Sequence, residues 1–157
     1  MVHALEQIHR LLEPGGVLID IHSAPEAPLY EVRAGDTVLY TEPEPGFSPD
    51  SNLAAQRALD DVALRGLFAL EETRSLDFVI VADSVAELRT LQNELYAYAG
   101  ADEPSEDETR LLTRLEEALE AAGPGARVGT REVGIACRLR AGAPTHRKVV
   151  RQREGGT

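Results

Sequence analysis

The segment Ala4 to Ile21 restricts the possible folds more than any other part of the chain. Leu5, Ile8 and Leu12, with Ala4 and Leu11 beside them, recur at helical spacing and predict a helix that buries this stripe. Pro14-Gly15-Gly16 then stops the helix, because proline disfavours the helical conformation in the residue before it and glycine accepts positive φ. Val17-Leu18-Ile19-Asp20-Ile21-His22 follows as a nearly unbroken apolar run, which predicts a strand covered on both faces, as parallel strands of α/β sheets are. A helix, a firm stop and a doubly covered strand point to a three-layer α/β architecture.

Downstream, Leu29 to Val32 and Thr37 to Tyr40 are β-prone runs separated by Arg33-Ala34-Gly35-Asp36, a loop of hairpin length, and predict a β-hairpin insertion. Glu42 to Asp50 holds Pro43, Pro45, Gly46 and Pro49, which excludes regular structure and makes this stretch the candidate lid over a cleft. Asp50 or Ser51 caps a second helix whose apolar face runs through Leu53, Leu59, Val62, Ala63 and Phe68, ending near Leu70. Leu76 to Ala82 reads as a second strand, continuous at Phe78-Val79-Ile80-Val81 and so expected to be buried on both faces. Asp83 and Ser84 close it.

Ser84 with Glu87, and Ser105 with Glu108, each have the form of a capping box. The first opens a helix with the stripe Leu88, Leu91, Leu95 and Tyr98, and Ala99-Gly100-Ala101 breaks it; the second opens a helix with Leu111, Leu112, Leu115 and Leu119 inside and an acidic outer face. After Gly123-Pro124-Gly125, Arg131 to Leu139 reads as a final strand with Val133, Ile135, Cys137 and Leu139 on one face. The expected organisation is one domain over 1–141 and a mobile basic tail over 142–157, in which His146, Arg147, Lys148, Arg151 and Arg153 offer contacts to phosphates or to the chain's own acidic helix.

Composition excludes several function classes. A net charge of -11 opposes general binding to nucleic acid or anionic membranes, and an aromatic share of 4% without tryptophan argues against stacking sites for bases or sugars. Cys137 is the single cysteine, so neither an intrachain disulfide nor a Cys-rich zinc site can form, which favours a reducing cytoplasm. No apolar run is long enough to span a membrane, and no leader pattern opens the chain. His3 and His9 lie too far apart to share one helical face as metal ligands, and no metal site is expected.

The run Ala4-Leu5-Glu6-Gln7-Ile8-His9-Arg10-Leu11-Leu12-Glu13-Pro14-Gly15-Gly16-Val17-Leu18-Ile19-Asp20 resembles the helix, turn and fifth strand of class I S-adenosylmethionine-dependent methyltransferases. The order of later elements looks like that family's second half, over roughly Met1 to Ala141. The resemblance implies a partial Rossmann-like open sheet, the late strands of a methyltransferase-type sheet, with covering helices and a β-hairpin insertion. It also implies that the cofactor is held by a first half with a Gly-rich turn after its first strand and an acidic residue after its second, and neither has a counterpart here. Gly123, Gly125 and Gly129 follow a helix and precede a strand, the reverse of the required context. No cofactor-binding residue is therefore expected in this chain, and S-adenosylmethionine enters only where a complete first half exists.

Ligands collect at the carboxyl ends of strands in open α/β sheets, which makes His22-Ser23 and Asp83-Ser84 the weak candidates for a shared rim, with His22 as a base, if the two strands run parallel. The bland alternative is that His22 ends a strand while Ser84 caps a helix. Asp20, inside a strand, needs either a site or a basic partner. If the first half is missing, the bare sheet edge predicts a homodimer or a complementary partner. Two functions follow: a methyltransferase-like protein inactive as this chain alone, with an acceptor pocket shaped by Pro43 to Pro49, Ser84 to Tyr98 and Glu106 to Ala122, or a noncatalytic module that dimerises or binds a partner. A small-ligand binder using the His22 and Asp83 rim is a third.

Overall fold

The computed structural model describes residues 1–96 and 105–142. Its elements are α1 (Val2–Leu11), β1 (Val17–Ser23), β2 (Leu29–Ala34), β3 (Thr37–Pro43), α2 (Asp50–Leu64), β4 (Phe68–Ala82), α3 (Val85–Tyr96), α4 (Glu106–Ala122) and β5 (Ala126–Ala141). The Tyr98 end of the expected helical stripe, the Ala99-Gly100-Ala101 break and the basic residues of the tail lie outside the described residues, as does the side chain of Leu95.

The long last strand organises the sheet. One edge of β5 pairs with β4 from Ala141 back to Val128, and the other pairs with β1 and then β2 in tandem, Leu18 opposite Leu139 and Val32 opposite Val128. β3 closes the sheet against β2 as the expected hairpin, turning at Gly35 and Asp36. Every pairing is antiparallel. The sheet is thus α/β and open, but not built from adjacent parallel strands. β1 and β4 run parallel to each other only because β5 lies between them, antiparallel to both.

Alternation along β5 assigns the helices to opposite faces. At its C-terminal half, Cys137 and Leu139 point toward α1 and α2, where Leu5, Ala58, Leu59, Val62 and Phe68 complete one core. At its N-terminal half, Val128 shares the other face with Tyr30, Val32 and Ala82, and there α3 and α4 supply Leu88, Leu111, Leu112 and Leu115. Burying the Leu, Val and Phe side chains of each cluster at about 1.5–3 kcal/mol apiece is what opposes the chain entropy in either half. Both capping serines act as expected: Ser84 Oγ accepts from the Glu87 amide at 3.1 Å and Ser105 Oγ from the Glu108 amide at 3.1 Å.

Three expectations are corrected. β1 is covered on one face only: α1 and α2 bury Leu18, while Val17, Ile19 and Ile21 on the other face are 38%, 57% and 59% exposed. β4 is likewise an edge strand rather than a doubly buried one, with Phe78, Val79 and Val81 all exposed. An apolar run has the same sequence whether a second layer covers it or not. Third, α2 ends at Leu64, not near Leu70, because Gly66 turns the chain at φ +71° and Phe68 opens β4, packed edge-on against His9 with ring centroids 5.3 Å apart. β4 and β5 therefore both extend well beyond the segments Leu76 to Ala82 and Arg131 to Leu139.

Candidate functional site

Where β1 ends, β5 hands its pairing over from β1 to β2, and a cleft of about 330 Å³ opens beside that junction. Such a volume lies within the range of small-molecule sites, and its place at a strand's carboxyl end is where ligands collect in open sheets. Its floor is the sheet face that carries Ile80, Thr130 and Glu132, with Phe78 laid across β5. Gly134 permits this: a Cβ there would sit 2.3 Å from Phe78 Cε2. Phe47 and Glu44, from the proline-rich stretch expected to form a lid, make one wall, and Gln92 of α3 makes another.

The polar groups around the cleft divide into engaged and open ones. Gln92 Nε2 donates to Tyr30 Oη at 3.1 Å, and Asn52 Nδ2 donates to the Ala24 carbonyl at 2.8 Å. Glu42, just outside, is bound by both Arg114 and the Tyr40 hydroxyl; the Arg114 guanidinium first, then Tyr40, holds its carboxyl below the usual range. Two residues on, Glu44 moves the other way: burial pushes its carboxyl up, and the like charges of Glu108 and Glu132 add to the shift. Among the described residues neither Glu44 nor Glu132 has a salt-bridge partner, and no Lys, Arg or His lines the cleft.

The residues singled out from sequence do not converge on this cleft as a set. His22 lies on the opposite sheet face, under α2, with Nδ1 2.6 Å from Asp20 Oδ2 and Nε2 3.3 Å from Gln56 Oε1. Asp20 thereby finds the partner its position in a strand demands, and only Ser23, the next residue, turns into the cleft. Asp83 pairs with Arg127 at 2.9 Å at the far end of β4. The strands run in the same direction, as the shared rim requires, but β1 ends opposite Gly134 while β4 continues to Val128, a separation of roughly 20 Å along β5 at about 3.3 Å per residue.

Cys137 is buried, and burial pushes its thiol up, away from the reactive thiolate. No group of three potential metal ligands occurs among the described residues, and no described helix is long and apolar enough to cross a membrane. Glu44, Phe47, Phe78, Gln92, Thr130 and Glu132 escaped sequence reasoning apart from the lid, whose prolines gave the only signal. Phe78, Thr130 and Glu132 meet only through the register of β4 against β5, and α3 brings in Gln92. No family model, curated protein or solved structure matches this chain.

Proposed function

We propose that this chain is the acceptor-binding half of an S-adenosylmethionine-dependent methyltransferase-like protein and does not itself hold the cofactor. The observation that carries the reading is the open side of β1. Among the described residues its outer edge is unpaired, and the adjoining face presents Val17, Ile19 and Ile21 to solvent directly after the helix and Pro-Gly-Gly turn that resemble the family's. A further parallel strand with its helix would complete both the hydrogen bonding of that edge and the cover of that face. The cleft lies at the carboxyl end of the same strand, shaped by the lid stretch and α3.

The described residues do not fit the cofactor. The turns that leave β1 and β4 are Ala24-Pro25 and Asp83-Ser84, with no glycine to let backbone approach a nucleotide closely. No catalytic step is therefore assigned to this chain, and its contribution is to bind and orient the acceptor. Calorimetry of this chain with S-adenosylmethionine should show no binding at micromolar affinity. The coding DNA ahead of Met1, read in frame, should encode a strand followed by a Gly-rich turn, and the extended protein should gain the binding. Micromolar binding by this chain alone, or none by the extended protein, overturns the reading.

The exposed isoleucines also favour a second reading, a noncatalytic module that pairs with another copy through β1. Light scattering distinguishes the two: a stable dimer that Ile19→Lys dissolves supports the module, and a monomer supports the half-enzyme.

A further inference from the structure

The cleft combines four features that specify a ligand. Its walls hold two aromatic rings, Phe47 and Phe78, whose faces attract cations. Glu44 and Glu132 bring two carboxylates without a basic partner. Thr130, buried at 8% exposure on the floor, makes no side-chain hydrogen bond with any described residue. Its hydroxyl is open to the cleft rather than sealed from solvent, so it is available to accept from a ligand group that enters. Finally, the nearest arginines are committed elsewhere, Arg114 to Glu42 and Arg131 to Glu31 on the other face.

We propose that the cleft binds a protonated amine carried on a flat apolar body, the ammonium between Glu44 and Glu132 with Thr130 Oγ1 accepting one of its N–H bonds and the body against Phe47 and Phe78. Anions are excluded by the same carboxylates. The Glu44 carboxyl is pushed up first by burial and then by the like charges of Glu108 and Glu132, and an ammonium placed among them would oppose that repulsion. The net charge of -11 steers cations toward the protein from a distance. That such an amine is also the methyl acceptor rests on the function proposed above; its binding does not.

The test is a nitrogen-15 chemical-shift titration of the full chain with three probes of one shape: phenethylammonium, 2-phenylethanol and 3-phenylpropanoate. The ammonium should move the amides of Phe47, Phe78, Gln92 and Thr130 in a saturable way, with the neutral alcohol at least about tenfold weaker and the carboxylate inert. The Glu44→Gln/Glu132→Gln double variant should bind the ammonium and the alcohol alike, and Thr130→Val should weaken the ammonium while leaving the alcohol unchanged. Equal binding of ammonium and alcohol by the native chain, shifts confined to the acidic face of α4, or no shift with any probe each overturns the proposal. Amine binding in an extended protein that never binds S-adenosylmethionine would remove the methyltransferase reading and leave the cation site standing; cofactor binding without amine binding would do the reverse.

Discussion

Each end of the sheet is covered by helices on one face and bare on the other, and the two bare faces differ in kind. Beneath the α3 and α4 end, the uncovered face sets a charge cluster beside the exposed Val79 and Val81: Glu31, only 1% exposed, accepts from Arg33 Nη1 at 2.9 Å and from Arg131 Nε at 2.8 Å. Across from α1 and α2, the uncovered face carries Val17, Ile19 and Ile21, with Arg138 and Arg140 drawn aside onto Glu71. A buried carboxylate with two guanidinium partners satisfies itself, whereas isoleucines more than half exposed gain nothing until another surface arrives. The contrast separates a face held by a self-satisfied charge cluster from one that presents only an apolar strand face.

The largest expected effect comes from breaking the charge cluster. Glu31→Ala should cost about 3–5 kcal/mol in urea unfolding, because two arginines lose the carboxylate that neutralises them in a confined place. A loss below about 1 kcal/mol would mean the face is no more than a surface ion pair. Next come the two cores. Leu115→Ala under α4 and Leu139→Ala under α2 should each cost about 2–5 kcal/mol, and hydrogen exchange should show both halves loosening together, since β5 belongs to both. Independent loosening would split the molecule into two units.

Smaller effects sharpen the contrast at the cleft. Glu44→Gln should slightly stabilise the free protein at neutral pH, an effect kept small by the solvent that reaches the carboxyl. The sign follows from its raised carboxyl: a group held above its unfolded value favours the fold below the ordinary carboxylate range and opposes it as pH rises through the raised one. The gain should therefore vanish on acidification in melts run across pH. Glu42 behaves oppositely, its depressed carboxyl contributing stability above the ordinary range that is lost as pH falls, and Arg114→Ala should reduce that acid sensitivity to the part the Tyr40 hydroxyl sustains. Smallest of all, Ile19→Lys with Ile21→Lys should change stability by no more than about 0.5 kcal/mol while raising solubility, measured by urea melts and light scattering. A large destabilisation would show that the face is not bare.

Local signals in the sequence were sufficient for most local structure, the exception being the expected Asp50 or Ser51 cap: α2 starts after Pro49 with no side-chain cap. The Pro14-Gly15-Gly16 stop, the two serine caps and the hairpin at Gly35-Asp36 are all present because each depends on residues within one turn or loop. The layers were not legible in the same way. Val17 to Ile21 reads as doubly buried, yet its second face is open, since hydrophobic periodicity records what a strand can bury and not what reaches it. The candidate site failed for a related reason: His22 and Ser23 are neighbours in sequence but face opposite sides of the sheet, and the groups that line the cleft with Ser23 come from β2, β4, β5, α3 and the lid.

The placement of β5 also has a consequence for how the chain is made. Val17 must wait for Arg140, and Leu29 for Arg131, so on the ribosome the first strands emerge more than a hundred residues before the strand that pairs with them. Contacts so distant in sequence close slowly, and throughout that interval both edges of β1 and its isoleucines stay available to any neighbouring chain. Folding here waits for β5: the last strand among the described residues is the one that joins the earlier strands.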